Sequence, residues 1–156
     1  MYDILCLCGK VGSGKTSYAY ELESMGGHIV IGLDLLMQPL FGNSLARNEF
    51  DEKRDICIDY IYGIARQIAG KNDTIVFDLG YWTKTSRAYV LKTFRDFRVK
   101  FIYFKIDRDI QEQRIMRRNS LEYGTYIFTA KMIDELNGLF EEPDKSEGID
   151  LEIIES

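Results

Sequence analysis

The chain has 156 residues, with 20 Lys+Arg against 25 Asp+Glu for a net charge of −5, and 46% of it is hydrophobic. That length suits one domain, and the apolar fraction excludes a disordered chain. An acidic total argues against a general nucleic-acid coat, which needs a cationic surface. Three cysteines (Cys6, Cys8, Cys57) and one histidine (His28) fit reduced thiols better than a disulfide framework or a zinc site. There is no basic leader and no apolar run of membrane-spanning length, so a soluble, cytoplasmic protein is expected.

In chain order, Tyr2–Cys8 reads as a buried strand, and a helix is expected from about Lys15 to Met25. His28–Gly32 is a second strand. Glu49–Ala69 is the longest helical stretch, with Ile56, Tyr60, Ile61, Ile64 and Ile68 assigned to one face. Thr74–Leu79 is a third strand, rich in β-branched and aromatic residues. Lys84–Phe97 reads as a helix with Val90, Leu91 and Phe94 inward. Val99–Ile106 is a fourth strand and Arg108–Arg118 a polar helix. Thr129 is a candidate cap for a helix through Leu139, striped by Met132, Ile133, Leu136 and Leu139. Leu151–Ile154 is a last short strand. Strands spaced by helices predict βαβ units: a three-layer α/β/α domain over residues 1–156, with about five parallel strands and ligands at their carboxyl ends.

Residues 9–16 read Gly-Lys-Val-Gly-Ser-Gly-Lys-Thr, a complete G-x-x-x-x-G-K-[ST] phosphate loop between an expected strand and helix. The loop glycines expose backbone N–H groups, which with the helix N-terminus cradle phosphates. The expected nucleotide contacts are Gly9, Lys10, Val11, Gly12, Ser13, Gly14, Lys15, Thr16 and Ser17. Lys15 is assigned to the β/γ-phosphates and the Thr16 hydroxyl to Mg²⁺. ATP and Mg²⁺ are the expected ligands.

Asp78 ends the third strand, where it serves either as an Mg²⁺-orienting carboxylate or as an ordinary turn residue before Gly80. Asp34 follows the second strand. It is a candidate base toward a substrate hydroxyl or a helix N-cap before Leu35, Leu36 and Met37. Charge is uneven: residues 84–118 hold 11 basic and 4 acidic side chains between two acidic blocks. Arg114, Arg117 and Arg118 lie on one helix there, and Arg114 and Arg118 share a face. They either stabilise charge in phosphoryl transfer or form a solvated face with Asp107, Asp109 and Glu112. The glycine-containing stretch from Asn119 to Thr125 reads as part of a lid, at about 114–127. Arg87 is a candidate binder of a substrate phosphate or carboxylate. Tyr81 and Trp82 form either an aromatic wall of the acceptor pocket or packing between sheet and helix.

Together these pieces resemble the P-loop kinase-like proteins of AAA_33 type, a family close to polynucleotide 5′-hydroxyl kinase, zeta toxin and chloramphenicol phosphotransferase. The resemblance is carried by Gly9–Thr16, Asp34 with Leu40-Phe41-Gly42, Phe77–Trp82 and Arg87. It continues through Arg114–Asn119, Phe140–Pro143 and Glu147. It implies a nucleoside-kinase-type sheet in the order 2-3-1-4-5. It also implies Asp34 as general base, Arg114 and Arg118 as lid arginines, and the Phe140–Pro143 segment near the adenine. Polynucleotide kinases carry an arginine three residues after the aspartate; here that position is Met37. The expected activity is therefore transfer of the ATP γ-phosphoryl to a hydroxyl of a small molecule. The alternatives are an ATPase switch module without an acceptor, and a nucleic-acid or toxin-like kinase.

Overall fold

The computed structural model describes residues 1–121 and 127–156. Five strands, β1 (Ile4–Gly9), β2 (His28–Gly32), β3 (Thr74–Gly80), β4 (Val99–Lys105) and β5 (Leu151–Glu155), form one sheet in the order β2-β3-β1-β4-β5. All four pairings are parallel. The expected strand order and class are those observed. The crossovers run through α1 (Lys15–Met25), α2 (Asp34–Phe41), α3 (Arg47–Ile68), α4 (Lys84–Thr93), α5 (Arg108–Ser120) and α6 (Ala130–Leu139). A 3-10 turn at Lys145–Glu147 precedes β5. No helix among the described residues is long and apolar enough to cross a membrane.

Strand β1 lies in the middle of the sheet, buried along nearly its whole length, which is why it reads as a continuous apolar run. Two apolar clusters cover the faces of the sheet. The larger joins β1, β3 and β4 to α3 and α4 through Ile4, Cys6, Ile61, Phe77, Phe94 and Phe101. The smaller holds Leu7, Ala19, Val76, Ile102 and Phe104 under α1. The three cysteines are buried and none forms a disulfide.

Two sequence expectations are corrected here. Helix α2 spans Asp34–Phe41 with Leu33 as its cap residue, so Asp34 is its first residue and not its N-cap. On α3 the inward residues are Cys57, Ile61, Tyr62 and Ala65, whereas Ile56 (64% exposed), Tyr60 (63%) and Ile64 (42%) face outward. The helix carries apolar residues around most of its circumference, so periodicity leaves its rotation undetermined. Packing decides it. Phe77 and Phe94 fill the space above the sheet, with ring centroids 5.4 and 5.3 Å from that of Tyr62, and the small side chains of Cys57 and Ala65 let α3 approach. Helix α4 ends at Thr93, with Phe94 as its buried cap residue. Thr129 caps α6, its side chain accepting from the Met132 N–H at 3.2 Å. Of the α6 stripe, Ile133 is buried, whereas Met132 and Leu139 remain exposed. Residues 122–126 of the expected lid lie outside the described residues.

Candidate active site

The carboxyl ends of β1, β2 and β3 open into one cleft of about 2290 Å³, bounded by α1, α2, α3 and α5 and lined by Gly12, Lys15, Thr16, Asp34, Asp78 and Arg118 among others. Small-ligand pockets span roughly 300–1,000 Å³, so this cleft has room for a nucleotide and a second molecule together.

The phosphate loop leaves β1 at Gly9 and enters α1 at Lys15. Close approach fixes two of its glycines. A Cβ at Gly9 would sit 2.7 Å from Ser13 Oγ and 2.9 Å from the Phe104 carbonyl oxygen, and Gly12 has a left-handed φ of 78° against Ile115. Val11, Gly12, Gly14, Lys15, Thr16 and Ser17 line the cleft. Gly9, Lys10 and Ser13 shape the loop beneath it. The Lys15 ammonium folds over the loop and donates to the Lys10 carbonyl at 2.9 Å. Burial pushes its pKa down, and the nearby Asp78 carboxylate opposes that shift.

The loop is held from behind by Trp82 and Gln111. Trp82 Nε1 donates to the Gly9 carbonyl at 3.1 Å. Gln111, almost fully buried on α5, donates to the Val11 carbonyl at 2.8 Å and exchanges amide hydrogen bonds with Asn137 of α6 at 2.8 and 3.1 Å. Nothing in the sequence distinguishes Gln111 from the other polar residues of its helix.

Thr16 Oγ1 donates to Asp78 Oδ2 at 2.6 Å. Registers set the carboxylate there. Between Cys6 and Cys8 of β1, strand β3 advances three residues, from Phe77 to Gly80. Such a bulge re-aims side chains at a strand end. A threonine hydroxyl beside a carboxylate is a hard-oxygen pair that suits Mg²⁺, so the residues present fit the expected ion.

Asp34 opens α2 directly beyond β2, whose Gly32 is in register with Asp78. Leu33 takes the N-cap position, and Asp34 is the acidic residue of the first turn of α2, where the helix N-terminus favours its charge. It meets solvent in the cleft, yet the surrounding walls displace enough water to raise its pKa. The Asp78 charge adds to that rise, while Arg118 and Lys15 oppose it.

On the far side of the loop, Arg114 Nη1 donates to the Gly12 and Ser13 carbonyls at 3.5 and 3.4 Å. Arg118 lies over the Phe128 ring, 5.2 Å from its centroid. Its buried Nε has no hydrogen-bond partner among the described residues. Burial lowers its pKa, and the Asp34 charge opposes that shift. Arg117 is exposed and outside the cleft lining.

Arg87 is a correction. It is fully buried and paired with Glu147, Nε to Oε2 and Nη2 to Oε1 at 2.8 Å each. Its Nη1 donates to the Tyr81 carbonyl at 2.9 Å. A guanidinium committed to three acceptors in the interior is not offered to a substrate. It anchors the turn after β3, where Tyr81 has a φ of 46°, a conformation that disfavours a bulky side chain by roughly 1–2 kcal/mol. The Tyr81 hydroxyl shares a hydrogen bond with that of Tyr62 at 3.0 Å. Glu141 accepts from the Lys84 N–H and donates its own N–H to the Trp82 carbonyl, which ties the Phe140–Pro143 segment to the same turn.

A family model for the AAA domain, AAA_33, matches residues 4–143. No curated protein matches by sequence. Among solved structures, Chaetomium thermophilum Kti12 in complex with ADP-AlF3 is similar with a TM-score of 0.72 and 15% identity, over 97% of this chain and 88% of that one. A gluconokinase from Sinorhizobium meliloti is similar with a TM-score of 0.66 and 12% identity, over 97% and 81%. A chain of the Pnkp1/Rnl/Hen1 RNA repair complex is similar with a TM-score of 0.64 and 18% identity; the match covers 87% of this chain but only 43% of that longer one. At these identities the likeness is one of fold.

Proposed function

Because this chain belongs to the AAA_33 family of AAA domains, and its cleft joins a phosphate loop to an aspartate beyond the end of β2, we propose that it is an ATP-dependent phosphotransferase acting on a hydroxyl of a small molecule. The observation that carries the proposal is Asp34. It stands one strand away from the Thr16–Asp78 pair, is open to the cleft, and interacts electrostatically with both Lys15 and Arg118.

In this scheme the backbone of residues 9–16 and Lys15 hold the triphosphate. Thr16 and Asp78 hold Mg²⁺, which when bound neutralises phosphate charge. Asp34 accepts the acceptor's hydroxyl proton as the new P–O bond forms and the bond to the leaving ADP breaks. Arg114 and Arg118 face the charge that spreads over the transferring group. The buried Met37, at the position where polynucleotide kinases hold their acceptor's phosphate, favours a small molecule over a nucleic acid.

The test is transfer from ATP labelled in its γ-phosphate into a pool of metabolites, followed by mass identification of the labelled product. Labelled product that disappears in the Lys15→Ala variant is expected. Release of inorganic phosphate alone, unaffected by the pool, would instead support an ATPase module.

A further inference from the structure

Arg114 and Arg118 lie one turn apart on α5 and both line the cleft, but they are held in different ways. Arg114 is tied to the Gly12 and Ser13 carbonyls of the phosphate loop. The buried Nε of Arg118 has no hydrogen-bond partner among the described residues. Its guanidinium rests instead on the Phe128 ring, 5.2 Å from the centroid. A long side chain near a helix end has many rotamers open to it, so the placement of Arg118 depends on what fixes that ring.

Phe128 lines the cleft and belongs to neither apolar cluster of the described residues, so burial in the core does not set its position. The Asn119 side chain does. Its Nδ2 donates to the Phe128 carbonyl at 2.8 Å, and its Oδ1 accepts from the Phe128 N–H at 3.2 Å. Among side chains, only Asn and Gln carry a donor and an acceptor on one planar amide, the set that meets both backbone groups of a residue. Thr129, directly after the ring, caps α6 and fixes the chain from the other side. Asn119 thus reaches nine residues ahead and brings an aromatic face to its own sequence neighbour, Arg118.

Resting on the phosphotransferase reading, we infer that Asn119 and Phe128 are positioning residues: the Asn119 amide fixes Phe128, and the Phe128 ring holds the Arg118 guanidinium over the cleft for the transferring phosphoryl group. A ring face attracts a cation without using its N–H donors, which leaves them for phosphate oxygens. A donor fixed in advance stabilises developing charge without reorganising at the moment of reaction.

The test measures transfer from ATP labelled in its γ-phosphate into the small molecules of a cell extract, by the full chain with Mg²⁺. It reads the rate at saturating ATP and the KM for ATP, with folding of each variant checked by melting. Asn119→Ala and Phe128→Leu are expected to lower the saturated rate by roughly 10–100-fold, the scale of a misplaced catalytic group, with the KM for ATP little changed. Phe128→Tyr keeps the ring face and should keep the rate. In an Arg118→Ala background neither Asn119→Ala nor Phe128→Leu should lower the rate further, because each acts through the arginine. A full additional loss in that background would overturn the inference and leave both residues with a structural role alone. Unchanged rates in the single variants, or equal losses in Phe128→Tyr and Phe128→Leu, would overturn it as well. All three outcomes leave the phosphotransferase reading intact. No transfer by the unmutated chain, with ATP binding demonstrated, would overturn that reading and this inference with it.

Discussion

The Thr16 hydroxyl donates to the Asp78 carboxylate at 2.6 Å, joining the first turn of α1 to the bulged end of β3. The two residues are 62 positions apart in sequence and meet because β1 and β3 are neighbours in the sheet. Asp78→Asn keeps the hydrogen-bonding shape and removes the charge. It should raise the Mg²⁺ concentration needed for half-maximal turnover by roughly 10–100-fold, as read from a Mg²⁺ titration at fixed ATP. An unshifted titration would remove Asp78 from the metal site.

Lys15 reaches across the loop to the Lys10 carbonyl and must turn outward to meet phosphate. Lys15→Ala should weaken ATP binding by about 100-fold, the loss of a charge-assisted contact of up to ~3 kcal/mol. Calorimetric titration measures this directly.

Asp34→Asn should lower transfer by about 10²–10⁴-fold while ATP affinity holds. The pH profile carries a second expectation. Burial raises the Asp34 pKa above its ordinary 3.8, and a base works only when ionised. The acid limb of the transfer rate should therefore lie above that value. A raised carboxylate pKa also means that the ionised form costs the fold stability, over the window from 3.8 up to the raised value and at all higher pH. Asp34→Asn should accordingly raise the melting temperature at neutral pH even as activity falls. A lower melting temperature would mark Asp34 as structural.

Arg87 and Glu147 form a pair whose arginine is fully buried. Removing one partner strands the other, so Arg87→Ala should cost about 3–5 kcal/mol, a melting shift on the order of 10 °C for a chain of this size. The Arg87 guanidinium holds the Glu147 pKa below its usual 4.5. Its stabilisation is complete above 4.5 and is lost as pH falls through the lower, folded-state value. Glu147→Gln should flatten the acid limb of the stability curve.

Gln111→Ala leaves the Val11 carbonyl and the Asn137 amide without their partner. A cost of about 1–3 kcal/mol is expected. Because the lost bond holds the phosphate loop, the KM for ATP should rise beyond what the stability loss alone explains. Kinetics at temperatures well below melting separate the two effects.

Much of this was legible from the chain alone, for local reasons. The phosphate loop is contiguous, its glycines have steric causes, and the strands are short apolar runs between helices, so the order of elements and the parallel sheet follow. Asp34 and Asp78 were found because strand ends in such sheets point into the cleft. What eluded the sequence depends on distant partners. Arg87 is held by Glu147, 60 residues later in the chain, a pairing that no local pattern reveals. Helix α3 has apolar residues on nearly every side, and only the rings of Phe77 and Phe94 decide which of them face inward. Gln111 grips the loop through a backbone carbonyl, a contact that leaves no spacing to recognise, and Trp82, legible only as a pocket wall or as packing, grips it in the same way.

The placement of β1 between β3 and β4 has a consequence for substitutions. The triphosphate grip sits on the central strand, Asp34 and the α3 wall lie to one side of it, and the arginines of α5 lie to the other. On the proposed reading, substitutions on α3 reach the acceptor side of the cleft without touching the loop, whereas changes on α5 reach both the loop, through Gln111, and Asp34, through Arg118. The phosphate loop, at the end of the central strand, is thus the one part of the cleft that both flanking sides meet.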